Sequence, residues 1–289
     1  MERVAVIGTG AMGSAMARRL IRKGFLTTVY DVRREAIEPL VAMGAKRAER
    51  VADCTDVDAI TIVVANDRQV EEVIVGPGGI LPHLHQNARP VLMVMSTVSP
   101  ETVRRLGDLC RTKNVEMIDA PVSGGHVAAE NGNISVIVGG AKETFGRMRP
   151  VLSAIGQRLY YVGELGAGEV VKLTNNMIGV TNMFLTIEAL ATGVRNGVPL
   201  DTLLSIIETS SGSNFHTRNW PLAKAFFEDF ARDLNSARNN LSLSIKDLTH
   251  AQELASLAKG PSPLLRGVID ALKEMEPQYL VDQWTDITK

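Results

Sequence analysis

The segment Val4-Ala5-Val6-Ile7-Gly8-Thr9-Gly10-Ala11-Met12-Gly13 constrains the fold more than any other stretch of this chain. Its four apolar residues read as a buried strand, and the glycine-rich turn after them opens an amphipathic helical stretch over 11–22. Gly8 permits a tight turn, Gly10 lets the backbone approach a pyrophosphate, and Gly13 lets the helix pack on the strand. Amide donors at the helix start, with the positive end of its dipole, would then face the phosphates. An ordinary strand-to-helix turn is the bland alternative. The strand before and the helix after supply the context that a nucleotide site requires, so Gly8, Thr9, Gly10, Ala11, Met12 and Gly13 become cofactor-binding candidates.

Beyond this turn, short apolar runs alternate with amphipathic stretches, the pattern of a parallel sheet with helical crossovers. Strands are expected over 4–7, 27–30, 59–64, 91–95, 116–118, 134–138 and 159–162, with helices such as 11–22, 33–42 and 100–112. Ser99 reads as the cap of the last of these, with Pro100 at its first position. The alternation stops near Gly163. From Gly168 onward, Leu173, Met177, Val180, Phe184, Ile187, Ala191 and Val194 recur at steps of three or four, one buried stripe on a long helix. A helix of that length bridges two lobes or packs against a partner subunit. The remainder reads as further helices. The expected fold class is α/β: a Rossmann-like domain over 1–163 with a mostly parallel sheet, then an all-helical domain over 164–289, linked by the long helix at about 167–196.

Bulk properties narrow the partners. The formal net charge of −1 leaves no broad basic footprint for nucleic acid. Two cysteines, Cys54 and Cys110, lack metal-ligand spacing, which argues against a disulfide framework or zinc site and fits a reducing, cytoplasmic setting. The N-terminal apolar run is too short for a signal sequence, and no run of consecutive apolar residues suits a membrane span.

Asp31 closes the second expected strand, at the distance past the glycines where an acidic group accepts hydrogen bonds from the ribose hydroxyls of NAD. It would repel the 2′-phosphate of NADP, although Arg33 and Arg34 stand close by and keep NADP possible. Two further segments carry chemistry. Asp119-Ala120-Pro121-Val122-Ser123-Gly124-Gly125 comes after a strand, and Ser123, Gly124 and Gly125 can offer a hydroxyl and open amides to a carboxylate or serve as an ordinary glycine loop. Gly166-Ala167-Gly168-Glu169-Val170-Val171-Lys172-Leu173-Thr174-Asn175-Asn176 opens the long helix, with Lys172 and Asn176 on successive turns of one face. Beside a cationic nicotinamide, a desolvated lysine exchanges a proton near neutral pH. Taken alone, Lys172 reads as a surface lysine with its stem along the helix, and the residues themselves favour that reading.

Four segments in this order, 8–13, 119–125, 166–176 and Lys246-Asp247-Leu248, resemble the β-hydroxyacid dehydrogenases over essentially the whole chain. The resemblance implies that Lys172 is the acid/base and that Asn176 orients substrate and lysine. It makes Ser123, Gly124 and Gly125 the substrate-carboxylate loop, and Lys246 and Asp247 a pair on the C-terminal domain that closes over the site. Ser96 and Thr97 would touch the nicotinamide ribose and substrate, and Val64, Ala65 and Asn66 would line the cofactor groove. Two departures stand out: Ala128 where many relatives carry Gly, and Asn239 where they place a Phe beside the substrate. If Asn239 faces the pocket, the site is more polar than one built for a methyl-bearing substrate. The family further implies NAD, a small hydroxyacid substrate and a homodimer or homotetramer. Imine reductases of the same plan, which typically replace the lysine, and a non-catalytic NAD-binding scaffold are the alternatives.

His83, His85, His126, His216 and His250 show no metal spacing and read as surface residues, except His126 beside the substrate loop. Ser211-Gly212-Ser213-Asn214 reads as a connector, and Trp220 and Trp284 as packing anchors.

Overall fold

The structure is a computed structural model and describes residues 3–85, 88–218 and 220–288. The chain opens with β1 (Arg3–Ile7), α1 (Ala11–Arg22), β2 (Leu26–Tyr30), α2 (Arg34–Ala42), β3 (Lys46–Arg47), β4 (Ala59–Ile62), α3 (Asp67–Val75), β5 (Val91–Val94), α4 (Pro100–Thr112) and β6 (Met117–Asp119). These strands lie side by side in the order β3-β2-β1-β4-β5-β6, every neighbouring pair parallel. The sheet continues through β7 (Val122–Ser123), α5 (Gly125–Glu130), β8 (Ser135–Gly139), α6 (Lys142–Ile155) and β9 (Arg158–Gly163). Here β8 runs antiparallel to β6 and β7 and parallel to β9.

The central strands β1, β4 and β5 carry near-continuous apolar runs because helices cover both faces. On one face, Met16 and Leu20 of α1, Ile37 and Leu40 of α2 and Val151 and Leu152 of α6 pack with Val4, Val6 and Met93. On the other, Val70 and Ile74 of α3 and Val103 and Leu106 of α4 pack with Ile7, Ile60 and Leu92. Ser99 caps α4 by accepting the Glu101 amide at 3.3 Å, and Pro100 holds the first helical position. Cys54 and Cys110 are buried on that second face, and burial pushes both thiols up to about 12.

After β9 come α7 (Ala167–Arg195), α8 (Leu200–Glu208), α9 (Phe215–Arg218), α10 (Trp220–Phe230), α11 (Leu234–Leu257), α12 (Pro263–Glu274) and α13 (Pro277–Thr288). The chain divides into two compact units, Met1–Lys172 and Leu173–Lys289, so the boundary falls inside α7. That helix is long and apolar enough by composition to cross a membrane. Its stripe of Leu173, Phe184, Ile187 and Ala191 is instead buried in the core of the helical unit.

An aromatic cluster anchors this second core. Phe227 sits 6.2 Å from Trp220 and 5.6 Å from Trp284, ring centre to ring centre, as packing anchors should. His216 departs from the surface position expected for it. It is 7% exposed, stacked among Phe226 and Phe227, with Nε2 3.3 Å from the Gly179 carbonyl of α7. Burial lowers its pKa below 6.5, against the opposing pull of that carbonyl. The folded state therefore binds this proton less readily than the unfolded chain. Stability from His216 is complete above the ordinary histidine pKa and is lost as pH falls through that value toward the folded one. The urea midpoint of the helical unit is expected to drop between about pH 7.5 and about pH 5.5, and the drop should shrink in His216→Leu. An equal drop in the variant would remove His216 as its source.

Candidate active site

The strand order reverses between β1 and β4, the place where open α/β sheets receive ligands beyond their strand ends. The glycine turn lies there, and its three glycines are held for different reasons. Gly8 has φ +90°, and a Cβ on it would stand 2.2 Å from the Val63 carbonyl oxygen. A Cβ on Gly13 would fall 1.9 Å from the Gly8 carbonyl oxygen. Gly10 is different: its nearest neighbour would be an Arg33 guanidinium nitrogen at 4.0 Å, and it gives α1 no side-chain cap. The outer face of the turn thus has room for a ligand and first-turn amides to meet an anion.

Asp31, just past β2, is tied to that turn. Its Oδ2 accepts the Thr9 amide at 2.7 Å and the Thr9 hydroxyl at 3.3 Å, while Oδ1 accepts the Arg33 amide at 2.9 Å. Burial opposes its charge, but the Arg33 and Thr9 amides and the Arg33 guanidinium outweigh burial and hold the carboxyl below its usual range. Across the reversal point, Ser96 accepts the Val64 amide at 2.7 Å, Ala65 donates to Gln69 Oε1 at 2.9 Å, and Asn66 caps α3 through the Gln69 amide at 3.0 Å. Ser96 is buried and Thr97 half-buried. This edge of the groove therefore spends its polar side chains on its own backbone.

Ser123 ends β7, and Gly124 and Gly125 come next with φ of +135° and +76°. The Ala128 methyl lies beneath this loop, where a Cβ on Gly124 would meet it at 3.3 Å. Lys172 is half-buried on the second turn of α7, the last residue of the first unit. In the helical unit, Asn176 is buried and donates to Asp247 Oδ2 at 2.7 Å, and Lys246 Nζ lies 3.0 Å from Asp247 Oδ1. Asn176, Lys246 and Asp247 thus form one cluster, whereas Asn239 stands exposed about two turns earlier on α11.

Two buried acids escaped the sequence reading. Asp119 ends β6 at 0% exposure and accepts the Gly166 amide at 2.7 Å and the Glu169 amide at 2.8 Å. Burial pushes its carboxyl up, opposed by amides of the α7 entrance. Glu169, equally buried, accepts the Val98 amide at 3.3 Å. An acid closing a strand just before a glycine loop was the available signal for the first.

Fold and turn together define a dinucleotide-binding plan. Residues 3–163 match the NAD-binding domain of 6-phosphogluconate dehydrogenase, and residues 166–287 match the NAD-binding domain of NADP-dependent 3-hydroxyisobutyrate dehydrogenase. The chain is 37% identical to the 3-hydroxyisobutyrate dehydrogenase of Pseudomonas aeruginosa over 74% of its own length and 72% of that protein. It is 32% identical to the NAD-dependent L-serine dehydrogenase of the same organism, covering 91% of this chain and 89% of that one. Its fold matches the crystal structure of a 3-hydroxyisobutyrate dehydrogenase from Salmonella typhimurium with a TM-score of 0.82 at 26% identity, over 98% of this chain and 99% of that one. The chain belongs to the 3-hydroxyisobutyrate dehydrogenase family of NAD(P)-dependent β-hydroxyacid dehydrogenases, oxidoreductases acting on CH–OH groups.

Proposed function

We propose that this protein interconverts a small β-hydroxyacid and its semialdehyde or keto acid, with NAD as the preferred cofactor and Lys172 as the acid/base. The observation that carries the reading is the pair Lys172 and Asn176 on successive turns of α7, the second of them fixed by Asp247. Gly8 to Gly13 fit a pyrophosphate, since only Gly10 leaves space above the turn. When bound, NAD supplies the acceptor for the hydride that leaves the substrate carbon. Ser123, Gly124 and Gly125 receive the substrate carboxylate. Lys172 Nζ takes the hydroxyl proton during oxidation and returns it to the carbonyl oxygen during reduction. Asn176 keeps substrate and lysine in register, so that much of the rate gain comes from orientation.

Preference for NAD rests on Asp31, an ionised carboxylate beside the glycine turn. It accepts ribose hydroxyls and repels a 2′-phosphate. An absorbance screen with 3-hydroxyisobutyrate, L-serine, glycerate, threonate and 4-hydroxybutyrate tests both parts. Turnover of at least one is expected, with kcat/KM for NAD at least about tenfold above NADP, since juxtaposed like charges cost several kcal/mol. No turnover across the panel would remove the substrate class, and an NADP preference would remove the role of Asp31.

A further inference from the structure

Three segments with different tasks in the proposed reaction meet at two buried carboxylates. Asp119 stands four residues before Ser123 of the substrate loop and receives amides from both sides of the α7 entrance, Gly166 and Glu169. Glu169 returns a carboxylate to the Val98 amide, directly after Thr97. Lys172 lies about one helical turn beyond Glu169.

The join has no slack. A Cβ on Gly168 would lie 2.6 Å from the Ile137 carbonyl oxygen and 2.7 Å from Asp119 Oδ2. One on Gly139 would lie 2.5 Å from Asp119 Oδ1 and 2.8 Å from the Gly168 nitrogen. The first turn of α7 is therefore pressed onto the strand ends at the distance set by one carboxylate. Ordinary helix packing would leave room for side chains here; two glycines remove it. A carboxylate accepting first-turn amides also fixes the helix along its axis and about it, because both oxygens are used on donors three residues apart.

We propose that Asp119 and Glu169 are positioning residues that hold Lys172 in register with the substrate loop and the Ser96-Thr97 segment. Asp119 sets where α7 begins and which way its second turn faces. Glu169 ties that turn to the segment after β5, so the three parts move as one. This rests on the acid/base reading of Lys172, and the test separates the two.

Asp119→Asn keeps the shape of the side chain but turns an amide NH2 toward one of the helix donors. With L-serine or 3-hydroxyisobutyrate, whichever turns over, kcat should fall about 100-fold, the scale of an ångström's misplacement. NADH affinity by fluorescence titration should stay within about threefold, because the glycine turn is untouched. The pH profile of kcat should also shift, which a loss of stability alone would not produce. If Asp119→Asn does not fold, Glu169→Ala and Glu169→Gln carry the test: alanine should lower kcat about tenfold, and glutamine, which keeps an acceptor for Val98, should recover most of it. Near-normal kcat with an unshifted pH profile in the folded variants, while Lys172→Ala is inactive, would overturn the positioning role alone. Normal turnover in Lys172→Ala would overturn the acid/base reading and this proposal with it.

Discussion

Lys172→Ala lowers kcat by about 10²–10⁴-fold, the range that a positioned acid/base contributes, while NADH binding stays close to that of the parent chain. The size of the loss reflects what remains. The glycine turn, Asp31 and the loop of Ser123, Gly124 and Gly125 are all intact in that variant. Binding and orientation survive, and only the carrier of the substrate proton is lost. The loss should appear in kcat and in kcat/KM together, since the proton moves only in the transition state. Fluorescence titration with NADH beside steady-state assays separates binding from turnover. Near-normal turnover would move the acid/base to another group.

The second large effect distinguishes two glycines three residues apart. Gly13→Ala places a methyl 1.9 Å from the Gly8 carbonyl oxygen, backbone against helix, where neither partner can swing away. Overpacking of this severity costs about 3 kcal/mol or more, roughly 10 °C in the midpoint of a unit this size. Cofactor binding is lost along with the fold of the turn. Gly10→Ala meets only the flexible tip of Arg33, at 4.0 Å, and its φ of −64° suits any L-residue. That variant should melt like the parent yet bind NADH about tenfold more weakly, because the methyl sits where the pyrophosphate approaches. Calorimetry and NADH titration on both variants check the contrast. Equal melting of the two, or undiminished NADH binding by Gly10→Ala, would contradict the assigned roles.

How much of this was legible depended on how local the signal was. All seven expected strands are present; β1, β4 and β5 were the plainest to read, because strands covered on both faces write themselves as near-continuous apolar stretches. The ends of α1 and α4 were readable from the glycine turn and from Ser99-Pro100, features that lie within a few residues of the helices they start. The two strands that escaped, β3 and β7, have two residues each and end the strand order; Lys46-Arg47 has no apolar run to notice. His216 escaped because its burial is made by Phe226, Phe227 and a carbonyl 37 residues away. Asp119 and Glu169 escaped for the same reason at longer range, with partners 47, 50 and 71 residues distant. In the candidate site, spacing revealed which residues share a helix face, whereas the use of Ser96 and Asn66 as internal braces required coordinates.

The two buried thiols have a practical consequence. Cys54 and Cys110 are the whole cysteine content of the chain, sit at 0% exposure and stay protonated far above neutral pH. Alkylating reagents act on the thiolate, so the native protein is chemically silent toward them. A cysteine installed on the exposed Ile178 or Leu185 of α7 would be the sole handle for a fluorophore or spin label, with no native residue removed first.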